Sequence, residues 1–300
     1  MNFLSMLETT DAGIADFLQL AARVKKDGDS HSQILRGKTL VMLFEKSSTR
    51  TRVSFDIVMN QLGGHAISLD FNQIQASRGE SVADTARTLA AYSECIMARM
   101  YKQQDLIELE KYSNVPVING QTDEEHPCQA LADILTIKEN SKLEKGRVFC
   151  YVGDATKNIC SSLIVACAKA GMEVRITCPK KYSPGRKFLD AAKKLVKVKV
   201  SEKPSEAMKE ADVIYTDSWT GGLGEENASD RISQLREYRL DENLLKNAAP
   251  DCIIMHPLPA NRGVEITSEC LDSKKSVVWQ QAKNRLYMQK AILLKVLLKA

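Results

Sequence analysis

No Cys-x-x-Cys pair occurs among the eight cysteines of this 300-residue chain, and no histidine pair sits at zinc-finger spacing, which removes structural zinc modules. There is no Gly-x-x-x-x-Gly-Lys-Ser/Thr loop, and no Gly-x-Gly-x-x-Gly follows a strand. Nucleotide-dependent phosphoryl transfer and hydride transfer therefore lose their usual sequence support. No apolar stretch approaches the ~18–20 residues that a membrane span needs. The opening residues, MNFLSMLETTDAG, lack a basic region and reach acids by Glu8 and Asp11, so no secretory signal is expected. An excess of one charge is missing too. The 42 Lys and Arg against 38 Asp and Glu leave only +4, too little over this length to imply a nucleic-acid partner. Lys193, Lys194, Lys197 and Lys199 read as a solvated face. Short-period repeats and low-complexity tracts are absent. Several cysteines fall in apolar runs, such as Cys150 in RVFCYVG and Cys167 in LIVACAKA, as buried free thiols do in a reducing compartment. The expectation is a cytoplasmic protein with neither a membrane nor a nucleic-acid partner.

The chain alternates short β-branched runs with longer helical patterns. Asp11 can cap a helix whose apolar positions Ile14, Phe17, Leu18, Ala21 and Val24 follow the 3.6 period. Strands are predicted over 38–46, in HAISLDF, in ECIMAR and in VPVING, with helices between them and a long helix over HPCQALADILTIKEN. The pattern restarts near residue 146 with RVFCYVGD, EVRITCP, VKVKVS, VIYTD and DCIIMHP as strands, again separated by helices, and a closing helix over Ala282–Leu298. Strand–helix–strand alternation means parallel sheets. The fold class is thus α/β, in two domains of mainly parallel sheet flanked by helices. The polar stretch ENSKLEKG is the seam between residues 1–137 and residues 146–282, and the helix 283–300 is expected to pack back on the first domain. SEKPSEAMKE and GGLGEENASDR read as solvated surface or mobile loop, with the glycines at 221–224 free to close over a ligand.

Ligands of open α/β sheets gather at the carboxyl ends of strands. Here the strand ends lead into Glu45-Lys46-Ser47-Ser48-Thr49-Arg50-Thr51-Arg52, Arg99, the run Gln121 to Gln129 with His126, Asp154 and Asn158, Asp217 and Trp219, and His256-Pro257-Leu258-Pro259. A strand-to-helix turn of Ser, Thr and Arg offers backbone N–H groups, hydroxyls, the positive end of a helix dipole and a guanidinium fork. That chemistry suits a phosphate dianion, although an ordinary capped helix start would use the same residues. An imidazole such as His126 can donate to a carbonyl oxygen that gains charge, and Gln129, one turn on, can orient an amide.

FEKSSTRTRVSF together with HPCQALAD resembles the aspartate/ornithine carbamoyltransferase family. The similarity runs along essentially the whole chain, through GESVADTAR, YVGDATKN, YTDSW, HPLPANRGVEI and NRLYMQKAIL. The resemblance implies two α/β domains with the active site in the cleft between them, and a catalytic homotrimer or a multiple of it. It implies transfer of the carbamoyl group of carbamoyl phosphate to an amine, without metal or organic cofactor. Residues matching Ser47, Ser48, Thr49, Arg50 and Thr51 would hold the phosphate. Those matching Thr51, Arg99 and His126 would contact the carbonyl oxygen, with Gln129 near the carbamoyl amide. Gln75 would come from a neighbouring subunit, the backbone around Leu258 would hold the carbamoyl NH₂, and Arg285 would lie at the same pocket.

The acceptor is less sharply marked. FEKSSTRTR and HPCQALAD resemble the ornithine branch more than the aspartate branch. There, Asn158 matches the residue for the α-carboxylate and Asp217 the residue for the α-amino group, with Ser218, Trp219, Pro257 and Leu258 beside them. The implied reaction gives L-citrulline and phosphate from L-ornithine. Two departures stand out: the Ser-Met-Gly loop of the ornithine branch is absent after Trp219, and His256-Pro257-Leu258-Pro259 has proline where that branch has cysteine. The arginine-rich second-domain signature of the aspartate branch is missing as well. Putrescine, acetylornithine or aspartate as acceptor stays open at this point, as does a catalytically silent relative.

Overall fold

The computed structural model describes residues 1–220 and 228–298. Contacts divide it into two units, Met1–Ala132 with Arg285–Ala300, and Asp133–Asn284. The division falls inside a helix, at 132/133, a few residues before the polar stretch at 139–146.

In the first unit, α1 (Asp11–Asp27) buries Ile14, Phe17, Leu18, Ala21 and Val24, the stripe that the 3.6 period marks. Its cap is Thr10 rather than Asp11: the Thr10 hydroxyl accepts from the Gly13 N–H, and Asp11 sits in the first turn facing the dipole. Strands β1 (Thr39–Phe44), β2 (His65–Asp70), β3 (Cys95–Arg99) and β4 (Val117–Gln121) form one parallel sheet in the order β2-β1-β3-β4. The crossovers are α2 (Thr49–Gln61), α3 (Val82–Tyr92) and α4 (Gln103–Tyr112). Strands β1 and β3 are apolar along most of their length and buried, as central parallel strands covered on both faces are. Edge strand β2 mixes exposed and half-buried residues and has none fully buried. Helix α5 (Pro127–Glu139) starts with proline in its first turn, where a missing N–H costs nothing.

The second unit holds β5 (Val148–Val152), β6 (Glu173–Thr177), β7 (Val198–Ser201), β8 (Val213–Thr216) and β9 (Ile253–Met255), parallel in the order β7-β6-β5-β8-β9. Between β5 and β6 runs α6 (Asn158–Lys169), buried on every side from Ile159 to Ala168, as a helix apolar all round must be. Helices α7 (Arg186–Lys193) and α8 (Pro204–Ala207) follow. SEKPSEAMKE is mostly exposed, as a solvated surface is, but not a loop throughout: it ends β7 and forms α8 over the buried Ala207 and Met208. The expectation of a loop over 221–231 is corrected from 228 on, where α9 (Ala228–Leu235) packs Leu235 into the interior; the glycine run 221–224 lies outside the described residues. The short helices α10 (Glu242–Leu245) and α11 (Ser268–Leu271) are capped by Asp241 and Thr267. Helix α12 (Val278–Leu298) closes the chain, beginning four residues before the predicted Ala282. No helix among the described residues is long and apolar enough to cross a membrane.

Candidate active site

The register of the first sheet pairs Phe44 with Arg99 and Arg99 with Gln121. The segments leaving β1, β3 and β4 therefore start side by side at one sheet edge. After β1 the chain turns into α2, where the Ser48 hydroxyl caps the helix by accepting from the Thr51 N–H at 3.2 Å. Ser47, Thr49 and Arg50 are exposed, Ser48 is half-buried, and Thr51 is buried. Arg285, from the part of α12 that belongs to this unit, donates to the Thr51 hydroxyl at 2.9 Å and to the Gln129 side-chain oxygen. Because Arg285 only donates, Thr51 keeps its own O–H for another acceptor, and Gln129 is oriented with its oxygen toward the guanidinium. His126 is buried at the start of α5, its backbone carbonyl accepting from Gln129 and Ala130.

Electrostatics give this cluster one sign. Burial, then the charges of Arg285 and Arg50, pull Arg99 down to about 10. Burial, then Arg285 and Arg99, hold His126 well below the ordinary imidazole range. Burial and the two guanidiniums thus favour the neutral ring of His126. Mutual repulsion among clustered guanidiniums is relieved by an anion placed between them, so the arrangement favours a polyanionic ligand. Nearby, the Glu45 carboxylate accepts from the Tyr101 N–H at 2.6 Å and is raised chiefly by burial. The Glu125 carboxylate takes the Ser5 hydroxyl and the Met6 N–H, tying the N-terminal segment to the residue before His126. Gln75 is exposed in the turn Gln75–Arg78 that follows edge strand β2.

In the second unit β5 neighbours β8, and β8 neighbours β9, with Val152 opposite Thr216 and Tyr215 opposite Met255. The loops carrying Asn158, Asp217 and His256–Leu258 thus emerge together from the carboxyl edge. Asn158 opens α6. Burial raises the Asp217 carboxyl above its ordinary value, opposed by the Lys157 charge and by the Ser218 N–H, which donates to Asp217 at 2.7 Å. Trp219 is fully buried, with its indole Nε1 so close to Gly153 that a Cβ at 153 would lie 2.5 Å away. Gly153 also has φ 115, so glycine is required there twice over. The part of Trp219 that polar groups reach is its backbone carbonyl, which accepts from Lys157 at 3.3 Å and Arg231 at 3.0 Å.

Pro257 and Leu258 are half-buried, and Leu258 has a left-handed backbone, φ 58. Its N–H donates to His256 Nδ1 at 2.9 Å, while His256 Nε2 meets Glu265 at 3.2 Å. Nδ1 is then the accepting nitrogen and Nε2 carries the proton. Residues 261 and 265 belong to HPLPANRGVEI, yet the sequence pattern gives them no role of their own. Their one signal is that they are polar side chains shortly after Pro259, among Ala260, Gly263 and Val264. Lys157 and the Glu125 anchor are equally silent in the sequence.

The aspartate/ornithine carbamoyltransferase models match the chain twice, the carbamoyl-P binding domain over residues 1–139 and the Asp/Orn binding domain over residues 145–296. An ornithine carbamoyltransferase of Methanoculleus marisnigri is 43% identical over 99% of this chain and 96% of its own length. An anabolic ornithine carbamoyltransferase of Pyrococcus furiosus is 44% identical over 97% of this chain and 95% of its own. The solved structure of ornithine carbamoyltransferase from Pyrococcus furiosus superposes with a TM-score of 0.94 at 43% identity, covering 100% of this chain and 97% of that one. The structure from Thermus thermophilus gives 0.91 at 34% identity, covering 99% and 98%. With both halves matched in order and relatives of this identity along the full length, the chain belongs to the aspartate/ornithine carbamoyltransferase family.

Proposed function

We propose that this chain transfers the carbamoyl group of carbamoyl phosphate to the side-chain amine of L-ornithine, giving L-citrulline and inorganic phosphate. The observation that carries the reading is the Arg285 guanidinium held between Thr51 and Gln129 in a cluster with Arg99 and the neutral His126. In this reading Ser47, Ser48, Thr49, Arg50 and Thr51 take the phosphate at the start of α2. Arg99, His126 and the Thr51 hydroxyl face the carbonyl oxygen. The neutral amine attacks the carbonyl carbon, the new C–N bond forms, and charge collects on that oxygen. Each well-placed donor to it lowers the barrier by roughly 3–4 kcal/mol. The bond to the phosphate oxygen then breaks. The amine's proton leaves with the phosphate, and Arg50 stabilises the departing dianion. Holding both substrates in one site supplies much of the remaining acceleration.

Asn158 takes the α-carboxylate of ornithine and Asp217 its α-ammonium, with Ser218, Trp219 and Pro257 framing the acceptor and the backbone around Leu258 receiving the carbamoyl NH₂. Aspartate is the poorer acceptor on charge grounds: its second carboxylate would meet the carboxylate of Asp217, and none of the residues assigned to the acceptor is an arginine that could offset it. Pro257 removes a thiol from the pocket but leaves every charged anchor in place.

The same reading makes the protein a homotrimer, with Gln75 completing a neighbour's site. Val53 (49% exposed) and Ile57 (39%) on α2 and Ile67 (39%) on β2 supply apolar surface for that contact, on an edge strand of a type that is normally covered. A reducing, cytoplasmic setting suits eight buried free thiols.

Turnover of carbamoyl phosphate with a panel of L-ornithine, putrescine, aspartate and acetylornithine tests the assignment. Ornithine should give citrulline with kcat/KM at least about 100-fold above the others, the discrimination expected of paired charged anchors. No product with ornithine would refute the reading.

A further inference from the structure

The buried carboxylate of Glu265 lies outside the residues assigned to either substrate, yet it is wired to both acceptor loops. Its Oε1 accepts the Asn261 N–H at 2.5 Å and meets His256 Nε2 at 3.2 Å. The two branches then part. Through His256, whose Nδ1 accepts the Leu258 N–H, one branch fixes the left-handed turn at Leu258. Along the other, the Asn261 amide donates to the Ser218 hydroxyl at 2.7 Å, and the Ser218 N–H donates to Asp217. The Ser218 O–H is itself committed to the Thr220 carbonyl at 2.6 Å, so its oxygen is left as the acceptor that Asn261 uses. The hub itself is anchored. The Glu265 carbonyl accepts from the Leu240 N–H at 2.9 Å, and the neighbouring Ile266 is fully buried.

A buried carboxylate has about four lone-pair sites and can hold several donors at once. This one joins two loops that leave neighbouring strands, and its branches end in segments that the acceptor reading uses, the backbone at Leu258 and the Asp217 carboxylate. We propose that Glu265 and Asn261 are positioning residues for the acceptor substrate: the Glu265 carboxylate sets the turn at Leu258, and Asn261 carries that constraint to Ser218 and Asp217, so that carbamoyl NH₂ and α-ammonium are received in one fixed geometry. The inference rests on the assignment of Asp217 to the acceptor, and the test separates the two.

Asn261 is half-buried, so its replacement leaves the core intact. Asn261→Ala should raise KM for L-ornithine about 10-fold, the scale of one lost hydrogen bond, with kcat and KM for carbamoyl phosphate each within about threefold of the parent. Glu265→Gln keeps the shape and an acceptor oxygen and should move the same parameter in the same direction by less. The decisive reading is a double-mutant cycle: on an Asp217→Asn background, Asn261→Ala should add almost nothing, because its route to substrate is already cut. Thermal melts establish that each variant is folded. A folded Asn261→Ala with unchanged ornithine KM, or effects that multiply fully with Asp217→Asn, overturns the proposal. An Asp217→Asn variant with normal ornithine KM overturns the Asp217 assignment, and the proposal with it.

Discussion

Around the carboxyl edge of the four-stranded sheet, the charged side chains assigned to substrate are Arg50, Arg99 and Arg285, beside an imidazole held toward its neutral form. At the same edge of the five-stranded sheet they are Asp217 and the buried Glu265, with Lys157 alongside. The backbone recipe is one and the same: parallel strands, crossover helices, side chains offered from the loops beyond the strands. What differs is the sign of the charge, and it matches the sign of the group each unit would receive, a dianion in the first and an ammonium in the second. Desolvation acts differently on the two as well. It drives His126 to its neutral form, whereas it pushes Asp217 toward the protonated form, which is the form that cannot hold an ammonium.

The largest break in this contrast comes from removing a cation from the first unit. Arg50→Ala should lower kcat/KM for carbamoyl phosphate by about 1,000-fold, since a dianion loses its bidentate partner. Steady-state kinetics at varied carbamoyl phosphate reads this directly, and near-normal turnover would end the phosphate assignment.

A smaller loss should follow from His126→Ala. Here kcat falls by about 100-fold, while the dissociation constant for carbamoyl phosphate shifts by less than about threefold, because the donor acts on charge that develops during reaction. A loss confined to affinity would contradict that role.

The mildest effects are those of pH, and they differ in direction between the units. His126 is depressed, so its imidazole nitrogen chemical shifts should stay at neutral-form values as pH falls through about 6.5, where an unperturbed histidine titrates. Asp217 is raised. As pH falls it gains its proton sooner than an exposed carboxylate, so the acid limb of kcat/KM for ornithine should lie above about 4. That limb should vanish in Asp217→Asn. A limb that persists unchanged belongs to another group.

Much of the fold is legible in the amino-acid order alone. TLVMLF, VFCYV and VIYT are apolar without alternation because central parallel strands are covered on both faces, and α1 shows its buried stripe in its spacing. Arg50, Thr51, Arg99 and His126 stand out because each follows a strand end within a few positions. Helix α9 does not, since its sequence is polar, lies three residues past a glycine-rich run and buries little beyond Leu235. The four-residue helices α10 and α11 are too short to show a period. Glu265 and Asn261 are hidden because their meaning lies in contacts made 9 and 43 positions away in the chain. The protonation of His126 likewise depends on burial, which no local pattern encodes.

The sulfur chemistry of the interior has a practical side. All eight cysteines are buried, and burial raises every one of their thiols, Cys178 to about 11 and Cys128 and Cys150 to about 12. Thiolate, the form that reacts with maleimides, is therefore scarce at neutral pH. A single cysteine introduced on the surface would be the fastest-labelling site on the folded chain, so a fluorophore could be attached there without first stripping the native sulfurs from the core.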